Sequence, residues 1–146
     1  MLTLGLDAAA PLFEGFPGSY LVSGDAIFVD AIHTSAGNII LLGKLGFTKP
    51  YADVDFYPNG GVSQPQCEGN LSITCNHDSS MRYFEASISS SSCQEGFKSL
   101  ACNSWNDFKN KKCDANALCS KMGYLSFESQ GKGKQYLSTR KVYPYC

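Results

Sequence analysis

The pattern of apolar and polar positions predicts several short strands in the first part of the chain. Leu2–Leu6 is a compact apolar stretch that leads directly into Asp7. Ala26–Thr34 is apolar almost throughout and contains β-branched and aromatic residues, which is typical of a strand buried on both faces of a parallel sheet. Ala52–Tyr57 alternates polar and apolar residues until Pro58–Gly61 interrupts it, so a strand that ends in a turn is predicted.

The segments between and after these strands give weaker signals. A turn region after Asp7 is predicted from its breakers, which are Pro11, Gly15, Pro17 and Gly18. Asn38–Leu45 is apolar and punctuated by glycine, and its assignment stays open. Ser79 or Ser80 is predicted to cap a helix of about ten residues. Its apolar face is expected to carry Met81, Phe84, Ala86 and Ile88.

The last part of the chain is predicted to be irregular and held by disulfides. A Ser-rich stretch follows Ser89, and a hairpin-like pair is expected around Gly123–Phe127 and Gln135–Val142. No internal repeat or second-domain boundary is visible, so residues 1–146 are treated as one piece of a domain. The expected fold class is α/β, with a mostly parallel sheet and a disulfide-stapled C-terminal region.

Composition and charge exclude several classes of protein. Hydrophobic residues make up 43% and charged residues 17%, an ordinary globular balance. Residues 1–92 carry nine acidic and three basic side chains, whereas residues 93–146 carry four acidic and nine basic ones. This asymmetry indicates either differently decorated solvated faces or a basic tail that contacts anionic lipid. No basic run is interleaved with aromatic residues, so no nucleic-acid partner is expected. No apolar segment approaches the roughly 18 residues of a membrane span.

Seven cysteines are the strongest compositional signal, and all of them lie in residues 67–146. No pair has C-x-x-C spacing, and the chain has two histidines, His33 and His77, so disulfides are favoured over a zinc site. An odd count leaves one thiol without a partner. The sequon Asn70-Leu71-Ser72 agrees with a secreted glycoprotein. The residues that follow Met1 do not resemble a signal peptide, which indicates that the front of the protein is missing.

Two short segments carry the chemistry. Asp7 lies at the end of a predicted strand, and His77 follows Cys75 on what is predicted to be a loop before a helix. In an α/β-hydrolase the triad occurs in the chain order Ser, Asp, His, on loops beyond the carboxyl ends of strands. The carboxylate orients the imidazole while the histidine transfers the proton of the serine. Asp7 and His77 stand in the order of the second and third members.

The chain resembles the pancreatic-lipase-like family, including insect lipases and the sn-1 phospholipases of wasp venoms. The resemblance covers nearly the whole chain and rests on several motifs in the same order. They are Gly5–Phe13, Phe28–Thr34, Asp55–Gly61, Gln64–Cys67, Cys75–His77 and Tyr143–Cys146. It implies a partial α/β-hydrolase fold, with Asp7 as the catalytic aspartate and His77 as the catalytic histidine.

The departures from the family pattern also carry information. Ala8 stands where the family usually has proline, and Ser79 where it usually has a basic residue. The Gly-x-Ser-x-Gly nucleophile elbow is absent from these 146 residues. Ser35 lies in a superficially similar segment but lacks the leading glycine and follows Asp7, so it is not expected to be the nucleophile. The expectation is therefore a C-terminal half whose serine lies upstream.

The resemblance also implies a disulfide between Cys67 and Cys75 that closes the lid loop. Seven residues, Glu68–Thr74, are too few for a helical cover, which resembles the venom phospholipases. Closing this loop is expected to stabilise the fold by roughly 2–3 kcal/mol. A short local bond is also predicted between Cys102 and Cys113. Cys93–Cys119 is expected to be the third bond, leaving Cys146 free, and the alternative Cys93–Cys146 leaves Cys119 free.

The parent protein is thus expected to be a secreted carboxylic ester hydrolase that acts on lipids at an interface. Cleavage of the phospholipid sn-1 ester is the leading specificity, and neutral glyceride is the second. An inactive relative that stores or binds lipid, as yolk proteins do, and a small cysteine-rich binding module are the alternatives. No cofactor or metal is expected. Relatives that bind calcium hold the ion with several acidic residues, and only one of these, Asp25, is retained here. His33 is interpreted as a core histidine and Trp105 as a packing residue. The sequence does not indicate an oligomeric state.

Overall fold

The described residues form one six-stranded mixed sheet. The structure, a computed structural model, describes residues 1–10, 13, 15–37, 39–89, 93 and 96–146. Its strands are β1 (Leu2–Leu6), β2 (Phe28–Ile32), β3 (Val54–Pro58), β4 (Phe97–Ala101), β5 (Cys119–Met122) and β6 (Gly133–Leu137). Two α-helices, α1 (Cys75–Ile88) and α2 (Trp105–Lys109), accompany them. The fold class is therefore α/β.

The sheet has the strand order β1-β2-β3-β6-β4-β5. β1, β2, β3 and β6 run parallel, and a parallel arrangement was predicted for the first three of them. β4 runs antiparallel to both β6 and β5. The predicted pairing of Gly123–Phe127 with Gln135–Val142 is wrong. β6 lies between β3 and β4, so both of its edges are already hydrogen-bonded, and β5 pairs with β4 instead.

The central strand β3 is buried along its whole length because both faces of the sheet are covered. On one face, Val54 and Phe56 belong to a core cluster with Tyr83 of α1. On the other face, Tyr57 stacks on His33 at 4.4 Å between ring centroids. The alternation of side chains along β3 therefore places them on two different faces of the sheet. One face is apolar, and the other carries polar and aromatic side chains.

Helix α1 begins at Cys75, so His77 lies in its first turn and not on a loop before it. The predicted cap at Ser79 or Ser80 is wrong. Both serines are buried inside the helix, and their hydroxyls donate back to Cys75 O at 2.8 Å and His77 O at 2.9 Å. Serine hydroxyls can satisfy such carbonyls within a helix, which is why local sequence did not distinguish a cap from an interior position.

The buried face of α1 agrees with the predicted one only at Ala86 and Phe84, the latter packing partly buried against the core. Tyr83 and Ala86 are fully buried, whereas Met81 and Ile88 are each 53% exposed. Tyr83 packs against Phe97 of β4 with ring centroids 5.7 Å apart. Packing against the sheet therefore selects Tyr83 in place of Met81 and Ile88.

The remaining segments are short. Ile40–Leu42 forms a single 3-10 turn within the stretch whose assignment was open. Ser104 caps α2 by accepting from Asp107 N at 3.1 Å, and Trp105 stacks on Phe108 at 5.3 Å, in agreement with a packing role. Three predicted features lie outside the described residues, namely Pro11, Asn38 and most of the Ser-rich stretch. No helix within the described ranges is long and apolar enough to cross a membrane.

The parallel strands bring their carboxyl ends to one edge of the sheet. Leu6, Ile32 and Phe56 stand side by side in the register of β1, β2 and β3. The next residues continue the pairing, since Asp7 N donates to Ile32 O and His33 N to Phe56 O, both at 2.8 Å. Side chains that follow these strands therefore meet at this edge, where ligands of open α/β sheets usually bind.

Candidate active site

Asp7 lies at the centre of this edge, directly after β1. It is fully buried, and its backbone adopts a left-handed conformation with φ of 49°. Aspartate tolerates this region better than most residues. Gly46 packs against its side chain so closely that a Cβ atom there would lie 2.4 Å from Asp7 Oδ1. The strand end and the glycine together fix where the carboxylate lies.

The Asp7 carboxylate accepts hydrogen bonds on both oxygens. Asp7 Oδ1 accepts from the backbone N–H groups of Thr34 and Ser35, at 2.7 and 3.0 Å. Asp7 Oδ2 accepts from the Ser35 hydroxyl and from His77 Nδ1, the latter at 2.8 Å. A buried carboxylate needs such donors because it has lost its contact with water. Both oxygens of the buried Asp7 side chain are thus satisfied by donors, one of which is the histidine.

His77 is one-third exposed and presents its other ring nitrogen outward. Because a carboxylate only accepts hydrogen bonds, Nδ1 carries the proton and Nε2 carries the lone pair. Nε2 has no hydrogen-bond partner among the described residues. The hydrogen bond that His77 donates to Asp7 raises the pKa of His77, burial lowers it, and the charges of Asp7 and Asp78 add to the increase. This is the arrangement of a general base with its orienting carboxylate.

Helix α1 is held at this edge by several contacts near its first turn. The Cys67–Cys75 disulfide anchors the start of the helix, as the resemblance implied. Gln64 N donates to Asn76 Oδ1 at 2.7 Å, and Gln64 Nε2 donates to Thr34 O at 2.9 Å. Gln64 is buried and ties the histidine's helix to the end of β2. Sequence reasoning named Gln64 only as the first residue of a family motif and gave it no role, because its role depends on partners 12 and 30 positions away.

A second aspartate–histidine pair lies nearby but has no open nitrogen. His33 Nε2 lies 2.8 Å from Asp55 Oδ1, and His33 Nδ1 lies 3.2 Å from Phe47 O. Both side chains of the pair are fully buried, and Tyr57 covers one face of the imidazole. Because both nitrogens contact buried partners, neither of them faces a substrate or nucleophile. The interpretation of His33 as a core histidine is confirmed.

Ser35 is brought to the site, in a role that the sequence did not indicate. Its hydroxyl donates to Asp7 Oδ2, on the side of the carboxylate that also binds His77. No serine hydroxyl in the described part of the chain is hydrogen-bonded to His77 Nε2. The geometry therefore agrees with the expectation that Ser35 is not the nucleophile.

The other disulfides lie away from this site. Cys102 pairs with Cys113 as predicted, while the bond predicted between Cys93 and Cys119 is not formed. Cys93 pairs instead with Cys146, and Cys119 is an exposed free cysteine. Cys93 and Cys146 both pack against the core beside α1, whereas Cys119 starts β5. The fold therefore adopts the alternative pairing given in the sequence analysis, Cys93–Cys146 with Cys119 free.

Parallel strands with a buried carboxylate and a partly exposed imidazole at their carboxyl edge define an α/β protein with a hydrogen-bonded aspartate–histidine pair at that edge. Comparison with known families extends this result. The family model described as Lipase matches residues 3–145, and the chain therefore belongs to the lipase family.

Individual relatives agree with this membership. Pancreatic lipase-related protein 2 of Bos taurus is 36% identical over 147 residues, covering 88% of this chain and 31% of its own length. The protein of the same name from Cavia porcellus is 36% identical over 131 residues, covering 88% of this chain and 29% of its own. Pancreatic triacylglycerol lipase of Myocastor coypus is 33% identical, with 92% of this chain and 34% of its own length covered. The chain thus spans about a third of the length of the relatives it matches.

Proposed function

We propose that this chain is the C-terminal part of the catalytic domain of a carboxylic ester hydrolase that acts on lipids. The observation that carries the proposal is the hydrogen bond of 2.8 Å between Asp7 Oδ2 and His77 Nδ1, with His77 Nε2 left open. His77 is the general base and Asp7 the residue that orients it. A serine supplied by a preceding part of the protein is the nucleophile.

The reaction follows from this geometry. His77 Nε2 takes the proton of the serine hydroxyl as the serine oxygen attacks the ester carbonyl, and Asp7 stabilises the imidazolium that forms. His77 then gives this proton to the alcohol oxygen as the ester bond breaks, which leaves an acyl-enzyme. Water, deprotonated by the same imidazole, releases the fatty acid and restores the serine.

The surface around His77 supports a lipid interface as the place of reaction. The 3-10 turn and the Cys67–Cys75 loop are neighbours, since a Cβ atom at Gly43 would lie 2.3 Å from Ile73 O. Both segments expose large apolar side chains to solvent. They are Ile39, Ile40, Leu42, Leu71 and Ile73, with Leu71 98% exposed. Apolar residues gathered on one surface mark sites of contact with other apolar surfaces.

The short Cys67–Cys75 loop supports phospholipid as the leading substrate class. It holds seven residues and no helix, so it leaves room for a bulky polar headgroup beside His77. From the short, helix-free loop we infer that the phospholipid is cleaved at its sn-1 ester. Neutral glyceride is the second candidate, favoured by the similarity to a protein named triacylglycerol lipase.

The disulfides support a location outside the cell. Three disulfides indicate that the chain folds in an oxidising compartment. Asn70 is exposed on the Cys67–Cys75 loop, where its sequon is accessible to glycosylation. We infer secretion, directed by a signal peptide in the part of the protein that precedes this chain.

The test uses the longer protein, that is, this chain with the residues encoded before Met1. We expect a Gly-x-Ser-x-Gly elbow there, and hydrolysis of phosphatidylcholine vesicles that releases the sn-1 fatty acid. His77→Ala should reduce kcat by about 10⁴-fold or more, and Asp7→Asn by a similar order. Glu85→Gln, which alters an exposed carboxylate on the same helix, should leave kcat unchanged.

Two results would contradict the proposal. One is full activity in His77→Ala. The other is a longer protein that lacks the elbow and binds vesicles without turnover, which would support the lipid-storage alternative. Faster release from trioleoylglycerol emulsions than from phospholipid vesicles would keep the hydrolase and reverse the order of the two substrates.

A further inference from the structure

Ser35 shares a single carboxylate oxygen with the histidine of the site. It is fully buried, its backbone N–H donates to Asp7 Oδ1 at 3.0 Å, and its hydroxyl donates to Asp7 Oδ2. Asp7 Oδ2 is the same atom that accepts from His77 Nδ1 at 2.8 Å. Two side-chain donors, one hydroxyl and one imidazole, therefore meet on one oxygen.

The surrounding backbone fixes Ser35 in this position. Ser35 O accepts from Leu45 N at 3.0 Å and from Gly46 N at 3.1 Å, which ties the residue to the segment that packs on Asp7. Gly46 fills the other side of the carboxylate, because a Cβ atom there would collide with Asp7 Oδ1. The segment at Leu45 and Gly46 thus holds the Ser35 hydroxyl against Asp7, and Gly46 packs against the Asp7 carboxylate.

We propose that Ser35 is a positioning residue of the Asp7–His77 pair, whose hydroxyl on Asp7 Oδ2 limits how strongly that oxygen binds the imidazolium. The proposal rests on the role of His77 as general base proposed above. Each donor on an oxygen withdraws part of its negative charge, so the second donor is bound less strongly. A base must be neutral before it can take a proton, and an unmoderated carboxylate would favour the charged form.

The other charges near the pair are few and lie on different elements. Asp78 of α1 acts on His77, whereas Lys44 and the phenol of Tyr51 face Asp7. Lys44 Nζ is held away from the pair by Val62 O at 2.6 Å and Ser63 Oγ at 2.8 Å. Removing the Ser35 hydroxyl leaves all of these groups in place. A change in the pKa of His77 can therefore be assigned to the lost hydrogen bond on Asp7 Oδ2.

The experiment measures the pKa of His77 by NMR titration of its ring in the 146-residue chain. In Ser35→Ala we expect the pKa of His77 to rise by about half a pH unit, the size of one modest hydrogen bond. Ser35→Thr keeps the hydroxyl and should keep the pKa of the unaltered chain. Asp7→Asn should lower the pKa of His77, and adding Ser35→Ala to Asp7→Asn should have no further effect.

Ser99→Ala is the matched control for loss of a buried hydroxyl. Ser99 donates to Ser120 O and Gln135 Oε1, both at 3.1 Å, and does not touch the site. It should reduce the stability of the chain without changing the pKa of His77. A merely structural Ser35 would behave in the same way.

Each outcome decides the matter. A folded Ser35→Ala chain whose His77 pKa is unchanged or lowered overturns the role of Ser35 and leaves the proposed function standing. An unchanged pKa in Asp7→Asn shows that the pair itself does not form, which also removes the proposed function. If Ser35→Ala does not fold, the unaltered chain is examined for a slowly exchanging Ser35 hydroxyl proton close to the Nδ1 proton of His77. Seeing the Nδ1 proton without that neighbour would overturn the inference.

Discussion

At the scale of single residues, three buried aspartates are stabilised in three ways. Asp7 has donors on both oxygens and a histidine partner, and Asp55 accepts from His33 and from the backbone of Tyr51 and Ala52. Asp30 of β2 accepts a side-chain hydrogen bond from the Ser126 hydroxyl at 2.6 Å and has no histidine partner. Burial raises the pKa of Asp30 from 3.8 to about 6, against the opposing effect of Ser126. The three buried carboxyls therefore differ in the number and kind of their donors, and Asp30 has the fewest from side chains and backbone of other residues.

Asp30→Asn is expected to stabilise the chain at neutral and alkaline pH. The folded state holds a proton on Asp30 between about pH 4 and 6 that the unfolded state has released, so the cost of the buried charge appears as the pH rises through this window. Above it, the variant avoids a cost of roughly 2–3 kcal/mol. Urea unfolding at pH 8 and at pH 3.5 should show the gain at the first pH and none at the second.

Asp53→Asn is the control for that prediction. The hydroxyl of Ser23 and the backbone N–H of Val29 lower the pKa of Asp53, so its charged form stabilises the fold above about pH 4. Its replacement should reduce the stability at pH 8. A gain in Asp53→Asn, or no gain in Asp30→Asn, would show that burial does not set the cost of these charges.

At the scale of elements, the C-terminal segment is held by packing on α1. Tyr145 contacts Tyr83 edge to face with ring centroids 5.5 Å apart, and the Cys93–Cys146 disulfide lies in the same region. Cys119, in contrast, opens β5, the last strand of the sheet order, and faces solvent. The third disulfide therefore joins two segments that the helix brings together.

Peptide mapping without reduction should find three linked pairs, Cys67–Cys75, Cys102–Cys113 and Cys93–Cys146. A maleimide added to the folded chain should label Cys119 alone, because its thiol is exposed and the other six are bonded. Cys119→Ser should abolish the labelling and change the free energy of unfolding by less than about 0.5 kcal/mol, as for other surface substitutions. A peptide that links Cys93 to Cys119 would contradict the packing described for the C-terminal segment.

At the scale of the whole molecule, the chain holds the proposed base and its carboxylate but no segment with the pattern of a nucleophile elbow. It spans about a third of its relatives' length, and its 146 residues contain no Gly-x-Ser-x-Gly segment. The hydroxyl nearest the pair belongs to Ser35 and is bound to Asp7. A base and its orienting carboxylate cannot form an acyl-enzyme without a nucleophile and an oxyanion hole.

The purified 146-residue chain is therefore expected to hydrolyse a short-chain p-nitrophenyl ester no faster than its His77→Ala variant does. Release of p-nitrophenol at neutral pH provides the measurement. Turnover by the chain that His77→Ala abolishes would mean that a nucleophile is present within these residues, and the division of the site proposed here would be wrong.

The pattern of side chains along the sequence was sufficient for the features that depend on neighbouring residues. Strands β1, β2 and β3 were predicted within about two residues, because a buried strand must be apolar over its own length. The position of Asp7 at a strand end followed from the same signal. The pairing of Asp7 with His77 was expected from the family resemblance, which the strand signal and the chain order supported.

Tertiary structure decided the features that depend on distant partners. β4 was not predicted, and the place of β6 between β3 and β4 arises from pairings that join residues far apart in sequence. Partners far apart in sequence also determine three other features. They are the start of α1, the Cys93–Cys146 disulfide and the hydrogen bond of the Ser35 hydroxyl to Asp7. In each case several local choices were of similar energy, and burial against the sheet selected one of them.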